Sequence, residues 1–263
     1  MSPGGGSEAR RPLILVSNDD GYRAQGLRAL ARALSADADV IVCAPEVEQS
    51  AASHALSLHR PLRLFRHEEG VFSVDGTPAD CVYVALYAAS RILPRKPDVV
   101  VSGVNHGVNL GDDVFYSGTV AAAREAALKG IPALAVSAAR DADLDAAAAF
   151  GARLTLAIHA LGGEPQLYNV NIPPGQSWPV RATHLGRRIY RDEVEFRRDP
   201  RGREYLWIGG PGADHGDAPG SDTEAFDRGI VGVTPLVLDL SQRVAAPRAE
   251  TLAALLAPGS GPA

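Results

Sequence analysis

Cysteine is scarce: Cys43 and Cys81 are the two in 263 residues, each inside an apolar run with no second cysteine at metal-ligand spacing. That argues against a disulfide framework or a cysteine-bound zinc and fits reduced core thiols of a cytoplasmic protein. Positive charge is not in excess either. A formal charge of -5 and a pI near 5.8 make neither a nucleic-acid polymer nor an anionic membrane surface an expected partner. A small anionic ligand stays open, because local dipoles and a metal can outweigh a modest net charge. No apolar run reads as long enough to span a bilayer. Residues 1–12 lack the apolar stretch of a signal peptide, and both they and residues 257–263 read as frayed tails. Internal repeats are missing. So are a Gly-Lys-Ser/Thr phosphate loop and a Gly-x-Gly-x-x-Gly after the first strand, which leaves the ATPase and dinucleotide folds without their fingerprints.

What is present is a set of short aliphatic runs. Leu13–Val16 is β-branched and aliphatic without polar alternation, so it reads as a strand buried on both faces, ending at Ser17-Asn18-Asp19-Asp20-Gly21. Leu27, Leu30, Ala31 and Leu34 mark one helix face, and Asp39–Ala44 repeats the strand pattern, giving β-α-β. The polar segment Glu46–Ser57 is too long for a tight turn. Leu62–Phe65 and Val71–Val74 read as a hairpin, and Thr77-Pro78 opens a helix through Ser90. Further strands are expected at Asp98–Ser102, Ala133–Ser137 and Leu167–Ile172, with helices at Val120–Leu128 and Ala146–Leu161.

The expected fold is therefore α/β: a Rossmann-like, mostly parallel sheet flanked by helices. Residues 13–175 are expected to form the α/β core. After Pro173-Pro174-Gly175, Ile189–Phe196 and Arg203–Ile208 alternate around the turn Asp199-Pro200-Arg201-Gly202, so 176–212 reads as a protruding antiparallel arm carrying Trp178, Tyr190, Phe196, Tyr205 and Trp207. Residues 213–256 return to complete the core and the contacts of a homo-oligomer, with Gly209–Ser221 as loop, a short helix from Ser221-Asp222 to Phe226, and Ile230–Leu236 as strand.

Two stretches carry chemistry. Asp19 and Asp20 are adjacent carboxylates at a strand end, whose repulsion a cation would offset; an Asx-rich turn capping the next helix is the structural alternative. Ser102–Leu128 presents Asn105, His106, Asn109, Asp112 and Asp113 on a glycine-punctuated loop. Ser117-Gly118-Thr119 then opens a helix, a phosphate cradle or simply an N-cap.

These residues closely resemble the stationary-phase survival protein SurE family of metal-dependent nucleoside monophosphate phosphatases. The resemblance runs from about Pro12 to Leu240 and is densest in ILVSNDDG (14–21), APEVEQSAASHALSL (44–58), VDGTPADCV (74–82), the 97–123 block with SGVNHGVNLGDDVFYSGT, NVNIP (169–173), LGRR (185–188) and 221–236. It implies one divalent ion per subunit, Mg2+ or Mn2+, held by Asp19, Asp20, Ser50 and Asn105. The all-oxygen donor set suits such hard cations. It also implies substrate contacts from Asn18, Asn109, Ser117, Gly118 and Thr119, and hydrolysis of nucleoside 5′- and 3′-monophosphates, with activity on short polyphosphate. Asp19 is the candidate for activating water, against a direct aspartyl nucleophile, and His106 either protonates the leaving alcohol or braces its loop. A cytoplasmic homodimer or homotetramer is expected. Two other functions stay open, a nucleoside N-ribohydrolase and a non-catalytic nucleotide-binding stress-response module. The chain departs from the commonest family pattern at Glu48 and Ala51, where many members carry Asn and Gly.

Overall fold

The computed structural model describes residues 10–164, 166–190, 194–208, 213–216, 218–241, 247 and 249–251. Its strands are β1 (Leu13–Ser17), β2 (Asp39–Pro45), β3 (Leu64–Glu68), β4 (Val71–Val74), β5 (Val99–His106), β6 (Ala133–Ala138), β7 (Leu167–Ile172), β8 (Val180–Ala182), β9 (Arg188–Tyr190), β10 (Val194–Arg198), β11 (Glu204–Ile208), β12 (Ala213–His215) and β13 (Val231–Leu236). The helices are α1 (Gln25–Leu34), α2 (Pro78–Tyr87), α3 (Gly118–Leu128), α4 (Leu144–Leu161) and α5 (Asp222–Asp227).

One nine-stranded sheet runs β3-β4-β2-β1-β5-β6-β7-β13-β8. Only the β3–β4 and β7–β13 neighbours are antiparallel, so the sheet is the mostly parallel one expected. Both of its faces are covered. Ile14, Val16, Val101, Leu134 and Val136 pack on the side of α1 and α4, and Leu13, Leu15, Val100, Ala133 and Ala135 on the side of α2 and α3. This is why the central strands read as unbroken apolar runs. The chain goes from β1 outward to β2, and later returns to place β5 on the other flank of β1. The reversal leaves a crevice at the carboxyl ends of β1 and β5, with Ser17 paired to Ser102.

Several boundaries differ from those expected. β5 does not stop at Ser102: it slips register between Ser102 and Asn105 and continues beside β6, pairing Asn105 with Ser137 and His106 with Ala138. The slip needs a glycine at 103, where φ is +135° and a Cβ would lie 2.2 Å from the Val136 carbonyl oxygen. Asn105 and His106 are thus strand residues rather than loop residues. The second helix ends at Tyr87, followed by a separate 3-10 turn at Ala89–Arg91. Thr77 and Asp80 form its capping box.

Val180–Ala182, inside the stretch expected to form the arm, join the main sheet beside β13 instead. The expected strand Ile189–Phe196 is two pieces: β9 pairs with β12, and β10 with β11 across the Asp199–Gly202 turn. Trp178 also leaves the arm, because its ring packs edge-on to Phe150 at 6.2 Å against the core. The tails expected at 1–12 and 257–263 lie outside the described residues except for 10–12. The absence of any membrane-length run needs correction too. The 18 residues of α4 are long and apolar enough to cross a bilayer. Here Ala147, Ala148, Gly151, Ala152 and Thr155 are buried, on a helix packed against α1 and β5.

The doubly covered sheet makes its central side chains costly to truncate. Leu134→Ala, at a fully buried position of β6, is expected to lower unfolding free energy by about 2–5 kcal/mol, measured by urea titration.

Candidate active site

β1 delivers Asn18, Asp19 and Asp20 to the crevice, and β5 delivers Asn105 and His106 beside them. The segment after β2 is drawn in by backbone bonds. Gln49 N–H donates to Asp19 O at 2.7 Å, and Ser53 donates through N–H to Tyr116 O and through its hydroxyl to Phe115 O. His54 Nε2 lies 2.9 Å from Glu125 on α3, so this loop is pinned to the helix body as well. Three separate chain segments therefore meet at one rim.

They enclose a cavity of about 530 Å³. Of the residues marked in the sequence, Asp19, Asp20, Ser50, Asn105, His106, Asn109 and Ser117 line it. The other three stand behind them. Asn18 is buried, its Nδ2 donating to Gly21 O at 3.0 Å, while its Oδ1 has no partner among the described residues. Thr119 donates its hydroxyl to Asp19 Oδ1, so that hydroxyl is already engaged. Gly118 lets α3 approach: a Cβ there would lie 2.8 Å from Asp19 Cβ and 2.9 Å from its Oδ2. Ser117 is the N-cap, accepting from Val120 N–H at 3.1 Å.

The polar side chains are oriented by their neighbours. Asn105 Nδ2 donates to Gly107 O at 2.7 Å, which turns its Oδ1 away from that contact and leaves it available. Ser50 donates to Glu48 Oε1 at 2.7 Å. His106 Nε2 faces Arg140 O at 3.3 Å, and its backbone N–H faces Asp20 Oδ2 at 3.4 Å. Asn109 is clamped: its N–H donates to Asn171 Oδ1, its carbonyl accepts from Asn169 and Asn171, and its Nδ2 donates to Ser137.

Burial and crowding set the electrostatics. Burial lifts the Asp19 carboxyl to about 6, against the Thr119 hydrogen bond, with the neighbouring Asp20 charge adding to the rise. Asp20 is raised as well, again by burial first, with His106 N–H opposing and Glu48 contributing. Among the described residues no three His, Cys, Asp or Glu side chains converge. The donor set is two carboxylates with a hydroxyl and an amide.

Residues that the motif reading left without a role complete the walls: Glu48, Arg140, Arg188 and Tyr190 line the cavity. Tyr190, placed on the arm by the sequence, turns its hydroxyl to Asp113, which also pairs with Arg188 at 3.3 Å. Asp113 is thus buried and bound, whereas Asp112 stays exposed. Asn169 and Asn171 sit on β7, whose alternation marks the buried strand but not which inward residues hold a loop.

A family model described as Survival protein SurE matches residues 14–192, well over half the chain. The chain belongs to the SurE family. A protein named 5′-nucleotidase SurE from Sorangium cellulosum (strain So ce56) is 65% identical over 235 residues, covering 88% of this chain and 91% of the relative. A protein of the same name from Anaeromyxobacter dehalogenans (strain 2CP-C) is 54% identical over 232 residues, covering 86% and 90%. The crystal structure of the SurE protein from Aquifex aeolicus superposes with a TM-score of 0.80 at 34% identity, covering 92% of this chain and all of that one.

The raised Asp19 carboxyl has a consequence for stability. A carboxyl whose pKa in the fold exceeds its ordinary 3.8 favours folding below that value, and the advantage is lost as pH rises through about 6. With EDTA at pH 8, Asp19→Asn is expected to stabilise the fold by up to about 3 kcal/mol. The gain should shrink to near zero at pH 4, followed by urea denaturation at both pH values.

Proposed function

We propose that this SurE-family protein is a divalent-metal-dependent nucleotidase. It hydrolyses nucleoside 5′- and 3′-monophosphates to nucleoside and phosphate, and its open cavity also admits short polyphosphate. The observation that carries the proposal is the meeting of Asp19, Asp20, Ser50 and Asn105 around one cavity at a sheet switch point. The nucleotidase names of relatives at 65% and 54% identity support it.

The residues suit a hard cation. Two adjacent, partly buried carboxylates raise one another's cost of ionisation, Asn105 has its Oδ1 uncommitted, and every donor is oxygen. Asp19, Asp20, Ser50 and Asn105 would hold Mg2+ or Mn2+, which when bound supplies neutralisation of the phosphoryl charge. Asp19 accepts the proton of the attacking water. One of its oxygens already accepts from Thr119, so the carboxylate is held in a fixed pose as base or ligand and is poorly free to attack phosphorus itself. Trapping a phosphorylated aspartate would overturn that assignment. His106 braces the strand end through Arg140 O, and the leaving oxygen draws its proton from water in the open cavity. Ser117 lines the cavity at the start of α3 and borders the approach of the phosphate, with Gly118 and Thr119 behind it against Asp19. Positioning of this kind has to offset a barrier of roughly 20 kcal/mol or more.

The same reading places the protein in the cytoplasm as a homodimer or homotetramer. Phe196, Leu206, Trp207 and Ile208 are exposed on β10 and β11, an apolar ladder suited to a second copy. Residues 13–175 are proposed as the catalytic core, with 176–212 and 213–256 supplying the arm and the return segment.

Phosphate release from AMP with Mn2+ is the direct assay. Wild type should turn over, and Asp19→Asn should lose at least about a hundredfold in kcat. Free base without phosphate would point instead to a ribohydrolase, and nucleotide binding without turnover to a non-catalytic module. Gly118→Ala should weaken Mn2+ binding in titration calorimetry, because the added methyl displaces Asp19.

A further inference from the structure

α5 does not need Asp222 for its own start. Ser221 is the N-cap and accepts from Glu224 N–H at 3.1 Å, whereas Asp222 is buried at the first helical position. Its carboxylate takes Thr223 N–H at 2.9 Å and otherwise bridges two distant segments. Oδ2 accepts from Gly111 N–H at 3.0 Å, and Oδ1 from Gly186 N–H at 2.7 Å. A carboxylate accepts on both oxygens, whereas an amide presents N–H on one side, so this bridge suits Asp and not Asn.

The two glycines leave the bridge little slack. A Cβ on Gly111, where φ is +51°, would lie 2.7 Å from Gly186 O, and one on Gly186 would lie 2.1 Å from Thr223 Oγ1. Three chain segments therefore meet backbone to backbone around one carboxylate. Each glycine leads directly into the wall of the candidate site. Gly111 opens the 3-10 turn Gly111–Phe115 that carries Asp113, and Gly186 lies two residues before β9, which carries Arg188 and Tyr190. Asp113, Arg188 and Tyr190 line the cavity of about 530 Å³, and Asp222 does not. At the rim the same two segments are joined again, by the Tyr190 hydroxyl on Asp113 and by Arg188 at 3.3 Å from it. The wall is thus tied at its rim through Asp113 and at its root through Asp222. The four candidate metal donors have other partners: Thr119 for Asp19, His106 N–H for Asp20, Glu48 for Ser50 and Gly107 O for Asn105.

We propose that Asp222 is a positioning residue that sets the Asp113–Arg188–Tyr190 wall at the right distance from the metal donors. Resting on the nucleotidase reading, this divides the site into a cation half hung on β1 and β5 and a substrate half hung on α5. Asp222 touches no substrate and exchanges no proton. It acts through two backbone N–H groups, and its loss is felt in how the substrate seats while the cation is held as before.

The test compares wild type, Asp222→Asn, Asp222→Glu and Glu224→Gln on AMP with Mn2+, following phosphate release, with Mn2+ affinity read by titration calorimetry. Asp222→Asn should raise KM about tenfold, the worth of one hydrogen bond to a charged group, with kcat and Mn2+ affinity little changed. Asp222→Glu keeps both acceptor oxygens on a longer arm and should raise KM less. Glu224→Gln removes a carboxylate from the same helix, one bonded to Arg181, Arg228 and Gly220 and not to the wall, and should leave KM at the wild-type value. An unchanged KM in Asp222→Asn, an equal rise in Glu224→Gln, or a rise matched by lost Mn2+ affinity overturns the assignment. Should Asp222→Asn fail to fold, Asp222→Glu is judged by the same criteria. Should wild type release no phosphate from AMP, the nucleotidase reading fails, and amide hydrogen exchange decides the brace. Faster exchange over residues 109–115 and 186–190 in Asp222→Asn, but not in Glu224→Gln, supports it, and equal exchange overturns it.

Discussion

Two negative charges are held side by side where a strand buried on both faces runs out of sheet, and the surrounding architecture is built to tolerate them. Asp19 is nearly solvent-free at 5% exposure, and its neighbour in sequence is another carboxylate. Isolated in that setting, the pair raises the cost of ionisation for both. The fold answers with neutral donors: the Thr119 hydroxyl from α3 to Asp19 and the His106 backbone N–H from β5 to Asp20. These soften the repulsion without cancelling it. The local cost in stability that remains is one that the proposed cation would offset.

The site's geometry explains the placement of several distant residues. Gly118 is small because α3 must reach the Asp19 side chain, and Gly103 because β5 must slip while staying hydrogen-bonded to β6. Asn169 and Asn171 on β7 hold the backbone of Asn109. Both belong to the NVNIP stretch, whose polar residues in a buried strand have no packing purpose. A loop carrying many glycines is thus kept in one conformation by amides projecting from the sheet.

Much of this was legible in the residues. Uninterrupted aliphatic runs located β1, β2, β5 and β6, since burial on both faces removes any need for alternation. The NDDG and SGT stretches pointed to the rim because polar and glycine residues after a buried strand have little structural reason to be there. Less legible was anything set by contacts across the fold. The extension of β5 to His106 depends on β6 lying alongside it, and the departure of Trp178 from the arm depends on Phe150. Thr119 read as a phosphate contact because hydroxyls at helix starts commonly are. Only the close approach of the α3 N-terminus to Asp19 reveals that its proton goes there. Arg140 had no motif around it at all, and its position is a product of strand register.

The segment between β2 and β3 is tethered along its length. Gln49 holds to Asp19, Ser53 to Phe115 and Tyr116, His54 to Glu125, Ala55 to Thr77 and Ser57 to Asp80. Its crest carrying Glu48 and Ser50 is the part left to rearrange. In the proposed reaction, product escape at this rim would proceed by breathing of a few residues at the crest. Rejection of unwanted esters would then fall to charge and shape inside the cleft and not to closure over it.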